Sequence, residues 1–449
     1  MKKGKSIALL SILGVIIAAL IVLAFVRFPV GVSNYNSFIG AYDLDYDLAG
    51  GYAYTLTLSD ENEIEIEDKD AFINTVSDRL ATLGYGVYSV KGIESTDISV
   101  DDYAIRIEVK KSDNAANDVA AAVTYGKIRV FGGTSSSEIG EILTDIKAIE
   151  SASYLGSIYN DGTTYQNFSV KFTEEAKEEL ETLMGDGTEY YIKVMLGEDD
   201  GDYSTTLFDT TSGSSPFSII GSTNSAYSNG TLSLSYGSNA EQVKRMVMLM
   251  NDGGIDYKFD MDQGSEITSP LGNVSLAIAV SIAIILVAAI VFLSVIGKGY
   301  GIVACLSVLL MLPIYLFMFV AIPGITVNLG TVIGMLATAL LVADGLFVVY
   351  KRISEEFANG KTVKSAIKSG FKRALMPTLS TGIVTIILSL LTVFLSKGVV
   401  NGFAIAFGIG GAAYLVIALL FARMFTSLVL PLVKPEKQES FLKLKREEK

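Results

Sequence analysis

The sequence predicts a membrane α-helical protein with a large α+β domain outside the membrane. Half of the 449 residues are hydrophobic, and many of them fall in long uninterrupted runs. A transmembrane helix needs about 20 apolar residues. Six runs have that length and are the predicted spans one to six: Ser6–Val26, Asn273–Ile296, Gly301–Ile322, Val327–Tyr350, Ala374–Leu395 and Asn401–Ala422. The long polar stretch between spans one and two predicts the outer domain.

These spans divide the chain into predicted domains. Residues 1–27 form the cytoplasmic N-terminus and span one, 28–272 the extracytoplasmic α+β domain, 273–433 a five-helix membrane domain, and 434–449 a cytoplasmic tail. Inside the outer domain, the order strand–helix–strand–helix–strand predicts a ferredoxin-like base module over about 28–134. A second module follows over 135–272, with its Ser-, Gly- and Asn-rich part as a mobile lobe.

Span one and the lysine distribution predict the orientation. Span one follows three lysines, as a signal peptide would, but its apolar core is longer than the usual stretch of about 7–15 residues and no clear cleavage site follows. We therefore favour a retained anchor. Lysine-rich segments at the N-terminus, between spans four and five, and after Val433 alternate correctly for six spans with both termini in the cytoplasm.

The composition excludes several classes of function. All but seven of the 48 acidic residues lie in 28–272, and such an acidic domain disfavours nucleic-acid binding. The chain has no histidine and a single cysteine, Cys305, which removes the usual base of Ser-His-Asp chemistry and any cysteine metal site. Two acidic clusters, around Asp200 and Asp262, match no full calcium loop, so solvated turns are favoured. We predict no enzyme, cofactor or metal.

Asp344 is the most informative residue because it is the only acid in any predicted span. An ionisable side chain at the bilayer centre costs about 2.5–3.5 kcal/mol on insertion scales. A residue kept at that cost is expected to take up a proton, bind an ion or pair with a charge on another helix. The structural alternative is a hydrogen bond to a threonine. The chain has no phosphate-binding loop, so any work draws on an ion gradient or on a partner that hydrolyses nucleotide.

Spans five and six carry patterned small and polar residues. One face of span five presents hydroxyls at helical spacing: Thr378, Thr381, Thr385, Ser389 and Thr392. Span six has Gly402, Ala406 and Gly410 at four-residue intervals, and Arg423 near its end. We expect spans four, five and six to pack together with Asp344 facing the hydroxyls. Alternatively, the hydroxyls bond their own backbone, the small residues only pack, and Arg423 extends to the interface.

The membrane segments resemble those of the SecD family of protein-export subunits. Val342-Ala-Asp344-Gly-Leu-Phe-Val-Val-Tyr-Lys-Arg352 is similar to the family's fourth-span motif, with Asp344 on its aspartate and Arg352 on its arginine. Residues 359–374 resemble the family's following cytoplasmic motif. Residues 397–404, which include Gly402, resemble its approach to span six.

Outer-domain motifs extend this resemblance over nearly the whole chain. Asp47-Leu-Ala-Gly50-Gly51 resembles the family's D-L-x-G-G, and the helix end that contains Arg79 resembles its R-x-x-x-L-G. Met250–Gly254 and Ser269–Gly272 resemble the run into span two. Each motif is weak alone, whereas their shared order is strong. The large outer domain and the D-L form of its motif favour SecD over the sister subunit SecF.

The resemblance implies a subunit of the Sec machinery in the bacterial cytoplasmic membrane. Implied partners are a SecF-like subunit, the Sec channel, unfolded secreted polypeptide and membrane lipids. Asp344 would couple ion movement to export, with Thr381, Thr385 and Arg423 as coupling residues. The family's polar residues near Asp344 are missing, however, since their positions hold Leu346, Ser380 and Ala406.

Two other functions remain open at this stage. An efflux or lipid transporter of the resistance–nodulation–division superfamily would have an apolar ligand pocket in the outer domain. A membrane-anchored binding module or scaffold would depend on the outer domain and not on Asp344. The sequence does not distinguish proton from sodium coupling.

Overall fold

The chain folds into two compact units. A computed structural model describes residues 3–30, 33–59, 69–93, 104–135, 138–142, 148–160, 162–184, 190–197, 203–209, 227–236, 239–271, 291, 295, 298–322 and 324–446. Met1–Gly50 and Thr268–Lys449 form the membrane unit, and Gly51–Ile267 forms the sheet unit. The predicted outer domain, 28–272, extends beyond the sheet unit at both ends.

Twelve α-helices lie in the described part of the chain. They are α1 (Lys3–Phe25), α2 (Tyr46–Ala49), α3 (Lys69–Thr82), α4 (Ala115–Ala122), α5 (Glu174–Met184), α6 (Ala240–Asp252), α7 (Gly299–Ala321), α8 (Leu329–Ala358), α9 (Val363–Leu395), α10 (Gly398–Leu415), α11 (Ala422–Val429) and α12 (Gln438–Phe441).

The same residues contain 15 strands. They are β1 (Phe28–Val30), β2 (Ser33–Tyr35), β3 (Gly51–Leu58), β4 (Ser89–Ile93), β5 (Ala104–Lys110), β6 (Lys127–Ser135), β7 (Glu138–Ile142), β8 (Ile149–Asn160), β9 (Thr163–Phe172), β10 (Tyr191–Gly197), β11 (Tyr203–Asp209), β12 (Tyr227–Ser228), β13 (Thr231–Tyr236), β14 (Phe259–Met261) and β15 (Ser265–Ile267).

The first sheet of the sheet unit has the order β14-β3-β5-β4, and β15 also pairs with β3. Strand β5 lies between β3 and β4 and is antiparallel to both, as in a split β-α-β arrangement. Alternate residues of β5, Ile105, Ile107 and Val109, are fully buried, as the period-two pattern predicts. Leu80 of α3 joins the same core.

The strand after α4 does not complete this sheet, so that part of the predicted base module is wrong. Strand β6 instead pairs with β10 and β7 in a second sheet of order β11-β10-β6-β7. The edge of the first sheet is occupied by β14 and β15, which come almost from the other end of the unit. A third sheet has the order β12-β13-β9-β8. The alternation of apolar and polar residues along a strand predicts which face is buried. It does not predict the neighbouring strand, because several strands have the same pattern.

The membrane unit has five helices in its described residues that are long and apolar enough to cross a membrane: α1, α7, α8, α9 and the continuous segment Gly398–Leu432. That segment runs from α10 through a π-helical turn, Val416–Phe421, into α11. The predicted second span, Asn273–Ile296, lies outside the described residues except at two isolated positions. A count of six spans therefore stays a prediction.

Candidate functional site

Helices α8, α9 and α10, which contain spans four, five and six, pack directly against one another, as expected. Small residues allow the close approach of α8 and α10. A Cβ atom at Gly402 would clash with the side chain of Asn328, and one at Gly410 would clash with Thr338. A Cβ at Gly330 would meet the backbone of Val399. The predicted small-residue face therefore packs on the helix that carries Asp344.

Asp344 lies on an exposed face of α8. The next two residues, Gly345 and Leu346, are buried, so the helix presents Asp344 to the outside of the packed bundle and its neighbours to the inside. Within the part of the chain that the structure describes, Asp344 forms no hydrogen bond or ion pair. The acid therefore stands on a face that a membrane or a partner would cover.

Tyr414 of α10 lies near both Asp344 and the first hydroxyls of span five, and sequence reasoning missed it. Its ring packs where a Cβ at Gly345 would clash with it, so the glycine makes room for the ring. Its hydroxyl lies close to the side chains of Thr378 and Thr381 and within electrostatic range of the Asp344 carboxylate, while Thr378 Oγ1 has no hydrogen-bond partner among the described residues. Only 2% of Tyr414 is exposed, which fixes the ring in this position. In the sequence, a tyrosine within an apolar run cannot be distinguished from a residue that only packs.

The hydroxyls of span five are divided between two environments. Thr378, Thr385 and Ser389 are buried, whereas Thr381 is exposed. Cβ atoms added at Gly408 and Gly411 of α10 would contact Ser389 and Thr385, so this part of the stripe faces α10. Thr385 Oγ1 donates to the carbonyl of Thr381 at 2.9 Å, which is the backbone bonding of the structural alternative.

The described ion pairs of the charged candidate residues do not include Asp344 or the hydroxyls of span five. Arg423 is exposed and forms no ion pair with a described residue. Arg352, the arginine of the fourth-span motif, pairs with Glu355 one turn later at 2.7 Å. The neighbouring Glu356 is buried and pairs with Lys361 and with Arg373. The pair with Arg373 joins the C-terminal end of α8 to α9, and the pair with Lys361 joins it to the turn between the two helices.

The opposite end of α8 begins beside the D-L-x-G-G motif. Asp47 Oδ2 accepts a hydrogen bond from the backbone N–H of Leu329, the first residue of α8, at 2.7 Å. A carboxylate at a helix N-terminus is stabilised by the helix dipole. Burial raises the pKa of the Asp47 carboxyl above its ordinary value, and the hydrogen bond from the N–H of Leu329 opposes that rise.

The remaining motif residues have structural roles that their backbone and burial explain. Gly50 ends α2 with a φ of 80°, in the region that favours glycine. A Cβ at Gly51 would clash with the carbonyl of Val109 on the paired strand β5. Arg79 is buried and donates at 3.1 Å to the carbonyl of Ala122, the last residue of α4, and at 3.1 Å to that of Gly253, just after α6.

Curated relatives share part of this sequence. The chain is 31% identical over 188 residues to the SecD protein translocase subunit of Koribacter versatilis, which is 42% of this chain and 33% of that protein. It is 25% identical over 193 residues to SecD of Escherichia coli strain K12. It is 26% identical over 198 residues to the protein translocase subunit SecDF of Brucella abortus, or 44% of this chain and 26% of that one. Each match thus covers about a third or less of the relative's length, and no protein-family model matches this chain.

A solved structure shares the fold over most of the chain. The crystal structure of SecDF in its super-membrane-facing form superimposes with a TM-score of 0.65 at 16% sequence identity. The superposition covers 94% of this chain and 57% of that one. The chain is thus similar in part of its sequence to SecD and SecDF protein translocase subunits, and it shares its fold with the SecDF structure over most of its length.

Proposed function

We propose that this chain is a SecD-type subunit of the Sec protein-export machinery. It uses the ion gradient across the bacterial cytoplasmic membrane to complete the translocation of unfolded secreted polypeptides. It acts with a SecF-like subunit and the Sec channel, and both of its termini lie in the cytoplasm. The relatives named as protein translocase subunits support this proposal.

The position of Asp344 is the observation that carries the proposal. The carboxylate lies on an exposed face of a helix that is otherwise apolar at this level. A carboxylate in contact with lipid chains is unfavourable by a few kcal/mol, so this face requires a polar partner. A SecF-like subunit that covers α8 would supply that partner. The Brucella abortus relative, named SecDF, supports a second subunit or its fused equivalent.

Ion coupling follows from the chemistry of a carboxylate at this depth. Protonation of Asp344 removes a charge, and each elementary charge that crosses 100 mV releases about 2.3 kcal/mol. That energy biases the membrane unit between two arrangements, which differ in how well they accommodate the charged form. The Tyr414 hydroxyl lies within electrostatic range of the carboxylate. The other coupling residues of the proposal are Thr381 and Arg423, which are exposed, and Thr385, whose hydroxyl donates to the carbonyl of Thr381.

Asp344→Asn tests the proposal because it removes the charge and nearly preserves the shape. We expect precursors of secreted proteins to accumulate in cells, and the residual export to lose its dependence on the ion gradient. Glu355→Gln is the matched control, since it removes a charge from the same helix at its C-terminal end, where Glu355 pairs with Arg352. Parallel treatment with a protonophore and a sodium ionophore identifies the ion. Normal export by Asp344→Asn with unchanged gradient dependence would refute the proposal.

A further inference from the structure

Three separate segments of the chain meet at Asp47. The first is the incoming segment 43–50, which leads directly into β3 of the sheet unit. The second is the outgoing segment 268–271, which follows β15, the last described strand of that unit. The third is the N-terminus of α8, the helix that carries Asp344. All three belong to the membrane unit.

Short hydrogen bonds join the three segments. Ser269 Oγ of the outgoing segment donates to the backbone carbonyl of Asp47 at 2.6 Å. The Asp47 carboxylate accepts from Leu329 N–H of α8 at 2.7 Å. Just before α8, the Val327 N–H donates to the carbonyl of Asp43 at 2.8 Å, and the Asp45 N–H donates to the carbonyl of Val327 at 3.0 Å.

Side-chain bonds reinforce the same junction. Thr326 Oγ1 donates to Asp45 Oδ2 at 3.2 Å, and Asp45 Oδ1 accepts from the N–H of Tyr46 at the start of α2. Asp45 is fully buried, and Asp47 is 7% exposed. Buried acids are uncommon unless their oxygens are bonded. Asp45 is bonded through both carboxylate oxygens and Asp47 through Oδ2, while Asp47 Oδ1 has no partner among the described residues. These bonds to two buried acids indicate that the junction is a built feature of the fold.

Asp47 supplies a hydrogen-bond acceptor for an N–H group that the cap of α8 leaves unbonded. The first N–H groups of a helix have no partner inside the helix. Asn328 caps α8 through a capping box, in which its side chain accepts from the N–H of Thr331 at 3.0 Å. The N–H of Leu329 is outside this box and bonds to Asp47. The start of α8 is therefore secured both by its own cap and by the incoming segment.

We propose that Asp47 is a positioning residue for the Asp344 helix, which it fastens to both chain segments that connect the membrane unit with the sheet unit. This inference rests on the proposed function, because it concerns how a change at Asp344 reaches the rest of the molecule. Asp344 lies about 22 Å along α8 from Leu329 at the rise of an α-helix. Helix α8 contains no proline, unlike α7 and α9, so no proline kink separates Leu329 from Asp344.

The first experiment measures the junction itself by hydrogen exchange in the full chain. In Asp47→Ala, the Leu329 N–H loses its acceptor, and we expect its amide to exchange about tenfold faster. Asp47→Asn keeps an oxygen at the same place and should restore slow exchange. Asp43→Ala is the matched control, because it removes an exposed acid nearby but keeps the backbone carbonyl that bonds Val327. Unchanged exchange at Leu329 in Asp47→Ala would overturn the assignment.

The second experiment asks whether the junction transmits the ion-dependent change. We expect Asp47→Ala to lose most gradient-dependent export, as Asp344→Asn does, and Asp47→Asn to recover it. Asn328→Ala loosens the same helix end without touching the connecting segments, so it reports a purely structural effect. We expect it to speed exchange but to retain gradient dependence. Equal loss of gradient dependence in Asn328→Ala and Asp47→Ala would overturn the positioning role.

Different experimental results would contradict the positioning role of Asp47 and the proposed function. If Asp344→Asn exports normally, the proposed function fails and the inference fails with it. If Asp344→Asn is defective while Asp47→Ala keeps full gradient dependence, only the positioning role fails. If Asp47→Ala does not accumulate in membranes, Asp47→Asn decides the question, because it retains the acceptor and must then behave like the unaltered protein.

Discussion

Replacement of Arg79 should destabilise the sheet unit far more than replacement of an ordinary surface arginine. Arg79 is 3% exposed, and its guanidinium donates to four backbone carbonyls. One of them belongs to Ala122, the last residue of α4. The others belong to Asp252, Gly253 and Gly254, at and after the end of α6. Arg79 therefore joins the end of α3 to the ends of two further helices.

The size of the effect follows from these contacts. Nη1 donates to Ala122 at 3.1 Å, and Nη2 donates mainly to Gly253 and Gly254 at 3.1 and 3.2 Å. A hydrogen bond to a charged group contributes about 1.5–3 kcal/mol. Burial opposes this gain, since it disfavours the charged guanidinium and lowers the pKa of Arg79. We expect Arg79→Ala to lower the free energy of unfolding by about 3 kcal/mol. We expect Arg79→Lys to lower it by about half as much, because a single ammonium group cannot replace both Nη1 and Nη2 of the planar guanidinium.

Pulse proteolysis of the full chain across a urea series measures this loss, because cleavage within the sheet unit reports its unfolded fraction. Arg106→Ala is the matched control. Arg106 lies in the same unit with 41% of its side chain exposed, and it pairs with Glu108 at 2.8 Å. Such a surface pair contributes about 0.2–1 kcal/mol. The reasoning is refuted if Arg79→Ala changes the free energy of unfolding no more than Arg106→Ala does.

Two further predictions concern the surroundings of Asp344. In Gly345→Ala, the new methyl group collides with the ring of Tyr414, so we expect thermal or urea unfolding to show a free energy of unfolding of the membrane unit that is about 1–3 kcal/mol lower. The control is Gly14→Ala, whose methyl group meets no atom within 4 Å and should change that free energy little. Equal effects of the two substitutions would contradict the packing argument. Tyr414→Phe removes only the hydroxyl, so we expect normal accumulation in membranes but weaker gradient dependence of export, whereas unchanged dependence would show that the hydroxyl does not act on Asp344.

The sequence predicted the local elements of the sheet unit better than their pairing. The alternation in β5 and the helical spacing in α3 are local signals, and both elements form where these signals lie. The edge of the first sheet comes from β14 and β15, more than 200 residues along the chain from β3 and with no marking in their sequence. Strand pairing over such distances depends on the whole fold, which the pattern of one segment does not contain.

At the candidate site, residue types were easier to predict than the directions in which they point. The single acid and the small-residue face of span six were visible as patterns. The packing of spans four, five and six followed from them. The exposure of Asp344 depends on the rotation of α8, which is fixed by close contacts such as Gly330 against Val399 and Gly345 against Tyr414. Asp47 could be recognised only as a motif residue, since its partner Leu329 is distant in sequence.

The residues that depart from the SecD pattern indicate where the polar environment of Asp344 must come from. Leu346 and Ala406 are both fully buried, and the carbonyl of Ala406 already accepts a hydrogen bond from Tyr315 at 3.0 Å. A polar side chain at either position would need a further buried partner, so the apolar residues suit their sites. Within the described residues, the polar group near Asp344 is instead the hydroxyl of Tyr414, and Asp344 itself lies on an exposed face. On the proposed function, the polar surroundings of the acid would thus be completed from outside the bundle, by a partner that covers α8.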